Sequence, residues 1–132
     1  PESLTDSFWE GARFLSVRTY LTSYAVKTEA DYGFDEDHVW GIDWQSTYCS
    51  PVGNMEHVKA PTLIMGMTAG WEFLASETIY DHAAAADKTI AFVEGATHKF
   101  TPAKHLERYE GQFGDTMKTL HDYIDEWISE RF

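Results

Sequence analysis

Apolar residues gather in two short unbroken runs, Thr62–Met67 and Thr89–Val93. Neither run alternates apolar with polar positions, the pattern of strands buried on both faces in a parallel sheet. About twenty residues separate them, too many for a tight turn and enough for a crossover helix. The alanine-rich stretch between them predicts a helix over Ser76–Ala85, with Ile79, Tyr80, Ala83 and Ala84 on its buried face. Ser76 suits its N-cap, and Glu77 suits the positive end of the helix dipole. Pro61 stands at the start of the first strand, where proline is tolerated, and Asp87-Lys88 turns the chain into the second. A parallel unit carries its working loops at the carboxyl ends of its strands. Gly66–Phe73 and Glu94–Phe100 therefore belong to one rim, and Glu72 and His98 with them.

Periodicity is clear again at the end of the chain. Phe113, Met117, Leu120, Ile124, Trp127 and Ile128 form one stripe of a helix over Phe113–Arg131. Its opposite face carries Asp115, Lys118, Asp122, Asp125 and Glu126. Before it, Thr101-Pro102 predicts an N-cap with proline in the first turn, and Gly111 predicts that helix's stop. At the other end, Phe8, Ala12, Leu15, Tyr20 and Tyr24 approximate helical spacing over Pro1–Glu29, with Thr5 or Asp6 as cap. Leu4, Phe14, Val17 and Leu21 widen that stripe. Asp31–Trp44 reads as an irregular acidic segment interleaved with Tyr32, Phe34, Trp40 and Trp44, and Thr47–Lys59 as a connector.

Composition narrows the function classes. A chain of 132 residues forms one domain or part of one. Its net charge is −12, from ten basic and twenty-two acidic side chains, which speaks against nucleic acid or an anionic membrane as partner. Cys49 is the sole cysteine, so no internal disulfide forms. No apolar run approaches the roughly twenty residues that span a bilayer, and no signal-peptide pattern opens the chain, so the expected location is cytoplasmic. The first residue is Pro1, not methionine, which fits a fragment at least as well as a complete product.

Pro61-Thr62-Leu63-Ile64-Met65-Gly66, an acidic residue soon after, and Gly95-Ala96-Thr97-His98 together resemble the C-terminal third of an α/β-hydrolase. The resemblance covers roughly Ser50–Phe132. It implies a fold of α/β class, the C-terminal portion of an α/β-hydrolase, with parallel strands near 62–67 and 89–94, flanking helices and a C-terminal amphipathic helix. Residues 51–132 would form that core segment, and residues 1–50 a helical, cap-like segment. In such a fold one strand delivers the catalytic acid on its following loop, and the next strand delivers the histidine on a Gly-x-x-His turn. The aromatic segment at Asp31–Trp44 falls where that family inserts caps or lids over the active site; a packing loop held by its aromatics is the other reading.

The candidate catalytic residues are thus His98 and Glu72. An imidazole on a glycine-containing loop reaches outward and suits proton exchange with a hydroxyl. His38, His57, His82, His105 and His121 read as surface residues without such a setting. Glu72 is the first carboxylate after the strand's glycine, and its role would be to hold the imidazole's tautomer. Glu77 competes poorly because it falls on the helix. No Gly-x-Ser-x-Gly elbow and no His-Gly-Gly segment for an oxyanion hole occurs. Cys49 and Ser50 lack the strand-then-helix frame of a nucleophile, and Cys49 reads as a buried or inert thiol. Glu56-His57 and His121-Asp122 are chance neighbours and not metal motifs, so neither a metal nor a cofactor is expected.

The resemblance therefore implies part of a serine hydrolase acting on carboxylic esters or related acyl compounds, with the serine on another segment. Expected partners are the N-terminal part of the same hydrolase or a second copy of this chain, and a small ester-like substrate. The alternative is a non-catalytic binding or interaction module of the same fold; a free-standing small α/β protein is a third reading.

Overall fold

The computed structural model describes residues 16–23, 25–35, 38–70 and 73–132. The described chain mixes helices and strands. In order come α1 (Val17–Ser23), β1 (Lys27–Phe34), β2 (Val39–Asp43), α2 (Pro51–Met55), β3 (Thr62–Met67), α3 (Phe73–His82), β4 (Lys88–Val93) and α4 (Thr116–Ser129). Phe8, Ala12, Leu15, Leu4, Phe14, Tyr24 and the caps Thr5 and Asp6, invoked for the first helix, lie outside the described residues.

β3 and β4 pair in parallel, in unbroken register from Thr62 opposite Lys88 to Met67 opposite Val93. Strand side chains alternate between faces, so Met65, Met67 and Val93 share one face and Ile64, Gly66, Ile90 and Phe92 the other. The first face meets α4: Met67, Val93, Ala96 and Leu120 form a buried cluster, joined by Met65, Phe100 and Ile124. Trp127 Nε1 adds a hydrogen bond to Thr89 Oγ1 at 3.0 Å. The second face meets α3. There the Phe92 ring lies directly over the Cα of Gly66, and Ser76 Oγ stands 3.1 Å from where a Gly66 Cβ would be. The two apolar runs are thus a small parallel sheet between two helices, as their lack of alternation predicts.

The helix ends differ in detail from the sequence reading. α3 begins at Phe73, so Ser76 is not its cap but a buried residue within it. The small hydroxymethyl fits the space left by Gly66 against the sheet, and this packing outweighs its capping preference. At the other end, Lys88 Nζ donates to the carbonyls of Tyr80 (2.8 Å) and Ala83 (3.0 Å), placing a cation where the helix dipole is negative. α4 starts at Thr116, one turn later than Phe113, because Asp115 caps it by accepting from Lys118 N at 3.0 Å. Its buried line is Thr116, Leu120 and Trp127. Met117 and Ile128 lie on the exposed flank of the stripe.

Three segments depart from the reading more strongly. Lys27–Glu29 is strand, not helix, and Asp31–Trp44 is no irregular loop. Together they form an antiparallel hairpin pairing Lys27 with Asp43 and Phe34 with Val39, with a register shift between Thr28 and Gly33. Cross-strand pairing overrides the weak helical periodicity there. α1 ends where its carbonyl at Thr22 accepts from Tyr48 N (3.0 Å) and Thr47 Oγ1 (2.7 Å). Thr47–Lys59 contains a helix, α2, capped by Ser50 Oγ accepting from Gly53 N at 3.1 Å with Pro51 in the first turn. Finally, no α-helix follows Thr101-Pro102. Pro102 bridges to Ala96, and after a single turn at Lys104–Leu106 the Glu107 and Gln112 side chains accept backbone N–H groups of Gly111 and Arg108. Such local bonds compete with helix formation.

Gly95, just after β4, is buried with φ +65°, and the Phe113 ring fills the space a Cβ would need. Gly95→Ala meets both the left-handed backbone penalty and the overlap, so we expect a loss of about 2–4 kcal/mol. Urea denaturation of the two proteins, compared at equal m-value, checks this.

Candidate active site

The loops leaving β3 and β4 are bonded to each other. Thr68 N donates to Val93 O (3.3 Å), Gly95 N to Thr68 Oγ1 (2.7 Å) and Ala69 N to Ala96 O (3.0 Å). Parallel pairing brings both loops to one end of the sheet, and these bonds fix their separation.

Beyond Ala96, which is fully buried, the chain forms a tight excursion. Thr97 N donates to Thr101 O (2.9 Å), Phe100 N to Thr97 O (2.8 Å) and Ala103 N to Gly95 O (2.8 Å). The hydroxyls of Thr97 and Thr101 are 2.9 Å apart and hydrogen-bonded. His98 and Lys99 occupy the tip and are exposed. Phe100 closes the turn with φ +56°, a left-handed conformation that is costly for a non-glycine residue. Two anchors hold it there: its ring packs on the Met67–Val93–Leu120 cluster, and its carbonyl accepts from Thr116 Oγ1 at 2.6 Å. His98 therefore projects from a short turn that the core fixes on both sides. Glu72 lies outside the described residues; its loop is described up to Gly70.

The other candidates have other settings. Ser50 is buried and its oxygen caps α2. Cys49 is exposed, not buried. His82 Nδ1 is bonded to Thr78 O within α3 at 2.9 Å. Among the described residues no three His, Cys, Asp or Glu side chains converge as metal ligands would, and no helix is long and apolar enough to cross a membrane.

A cleft of about 660 Å³ opens between the hairpin and the start of α3. Tyr32, Phe34, Val39 and Trp44 form one wall, and Phe73 and Leu74 the other. Tyr32 and Phe34 stand two apart on one strand, hence on one face, with ring centroids 6.5 Å apart. Trp40 folds instead over Gly33, on the opposite face of the hairpin. Phe73 and Leu74, at the start of α3, lie only a few residues in sequence after the loop that follows β3. The interleaved aromatics were visible in the sequence, but which of them share a face depends on the hairpin register.

The sequence reading did not find Thr68 or Phe100. Thr68 is one polar residue after an apolar run, and only the β3–β4 register shows that its hydroxyl meets Gly95. Comparison of the chain with family models, curated proteins and solved structures returned no match.

Thr68→Val removes the acceptor of Gly95 N and leaves a part-buried N–H unpaired. We expect a loss of about 1–3 kcal/mol, together with faster amide exchange at Gly95 and Ala69. Hydrogen exchange followed by NMR measures both, and unchanged protection at these two amides would show that the loops are not coupled through Thr68.

Proposed function

We propose that this chain is part of a serine-type hydrolase of carboxylic esters or related acyl compounds, and that it supplies the catalytic histidine and acid. The observation that carries the reading is the rim. Two loops at the carboxyl ends of adjacent parallel strands are bonded together, and one of them presents His98 at the tip of a core-anchored turn. The resemblance of Gly95-Ala96-Thr97-His98 and of the segment after Pro61 to α/β-hydrolases supports the same reading. In this mechanism a serine hydroxyl from a further segment attacks the ester carbonyl. His98 takes the hydroxyl proton and passes it to the departing alcohol; water then releases the acyl group by the same exchange in reverse. Glu72, on the neighbouring loop, would accept a hydrogen bond from the imidazole and hold its tautomer. Strands lie about 4.8 Å apart, a gap that the arms of glutamate and histidine span.

The serine would come from an N-terminal part of the same hydrolase; a second copy of this chain, which carries no nucleophile elbow, would serve only to cover its open sheet edge. β3 and β4 pair only with each other among the described residues. Each thus leaves one edge whose backbone groups can take a further strand. Sedimentation of the 132-residue chain, alone and together with any segment that proves to be encoded upstream of it, tests the assembly. We expect a dimer or a poorly folded species when it is alone; a stable monomer would argue against both partners.

His98→Ala in the assembled protein should lower hydrolysis of an activated ester by about 10⁴-fold or more. Glu72→Gln should cost less, since the base remains in place. The chain alone should be inert. An unchanged rate in His98→Ala would remove the catalytic reading. The apolar cleft favours a second reading, a binding module of the same fold, which predicts ligand binding without turnover in every assembly.

A further inference from the structure

The geometry points to the cleft between the hairpin and α3 as the site for an uncharged aromatic group, of about naphthyl size, on the ligand. This inference rests on the proposed hydrolase only in taking that group to be the acyl or alcohol part of the ester.

Size and lining chemistry carry it. A volume of about 660 Å³ falls within the roughly 300–1,000 Å³ typical of small-molecule sites. The walls combine rings from Tyr32, Phe34, Trp44 and Phe73 with the aliphatic Val39 and Leu74. Phe34 is 71% exposed and Tyr32 47%, so apolar surface remains in water that a ligand would cover. Flat rings on facing walls suit a flat apolar guest, through area burial and offset stacking.

The polar groups in the lining decide the charge. Thr78 Oγ1 already donates to Leu74 O at 2.7 Å, inside α3. Asp35 Oδ1 accepts from His38 N at 2.7 Å and fixes the hairpin turn. Among the described residues no lysine or arginine lines the cleft, so an anionic ligand meets the Asp35 carboxylate and an apolar wall there. The net charge of −12 adds to that repulsion. A neutral aromatic ligand meets neither penalty.

The full chain is titrated with the neutral fluorophore N-phenyl-1-naphthylamine and with the anionic 1-anilinonaphthalene-8-sulfonate. We expect saturable enhancement with the neutral probe and at least tenfold weaker binding of the anionic one. Phe34→Ser, at an exposed position, should weaken the neutral probe about fivefold to tenfold. Ala75→Phe, which lines the cleft on α3, should fill it and weaken binding at least tenfold. Tyr48→Ser removes a still more exposed aromatic outside the cleft and should leave binding unchanged. Circular dichroism confirms that each variant folds. No saturable binding, equal affinity for the two probes, or an equal loss in Tyr48→Ser would overturn the assignment. The probe needs no serine. Binding without ester turnover in the assembled protein would therefore remove the hydrolase reading and leave the cleft assignment standing, and turnover without probe binding would do the reverse.

Discussion

The parallel pairing of β3 with β4 is the constraint on which the rest of this structure depends. Two strands that are apolar at nearly every position leave two faces to cover, and water satisfies neither. The helix between them, α3, covers one face, and α4 returns to cover the other. The fit is specific on both sides. Gly66 gives up its side chain so that Phe92 and Ser76 can meet above it, and Trp127 reaches across to the hydroxyl of Thr89. Lys88 ties the start of β4 to the end of α3, and the Asp87–Arg131 ion pair at 2.9 Å ties the same corner to the end of α4, where Arg131 also stacks on Trp127.

The same pairing determines what stands at the other end of the sheet. Strands in parallel register deliver their outgoing loops side by side, so Thr68 can receive Gly95 N–H and Ala69 can reach the Ala96 carbonyl. The turn that carries His98 inherits this order. Its far side is held by Phe100, whose strained backbone persists because its ring and its carbonyl are both engaged by the core. The backbone of this turn is therefore set by packed neighbours on both sides.

The hairpin contributes a different kind of surface. Two strands alone cannot bury both of their faces, so Tyr32, Phe34 and Trp40 keep much of their area in water. On one face Trp40 closes over Gly33; on the other, Tyr32 and Phe34 turn toward Phe73 and Leu74 and leave a cleft between.

The sequence by itself determined the elements with a clear apolar pattern. Thr62–Met67 and Thr89–Val93 are apolar at almost every position and read as adjacent parallel strands. They pair as read, although Phe92 keeps 37% of its surface exposed. The stripe through Leu120 and Trp127 predicts a helix lying on them. The Gly95–His98 turn was legible for the same reason, since a buried run must end in an outward loop. Tertiary structure decided the rest. The hairpin from Lys27 to Asp43 has mixed periodicity, and only cross-strand pairing makes Lys27–Glu29 extended. Ser76 looked like a cap by its own preference, but close packing against Gly66 placed it inside α3. Thr101-Pro102 looked like a helix start, but the bridge from Pro102 to Ala96 and the turns bonded by Glu107 and Gln112 took its backbone groups. In the first two cases a local preference of about 1 kcal/mol or less met a contact between residues distant in the chain, which leaves no mark on either stretch alone; in the third, side chains a few residues away took the backbone groups a helix would need.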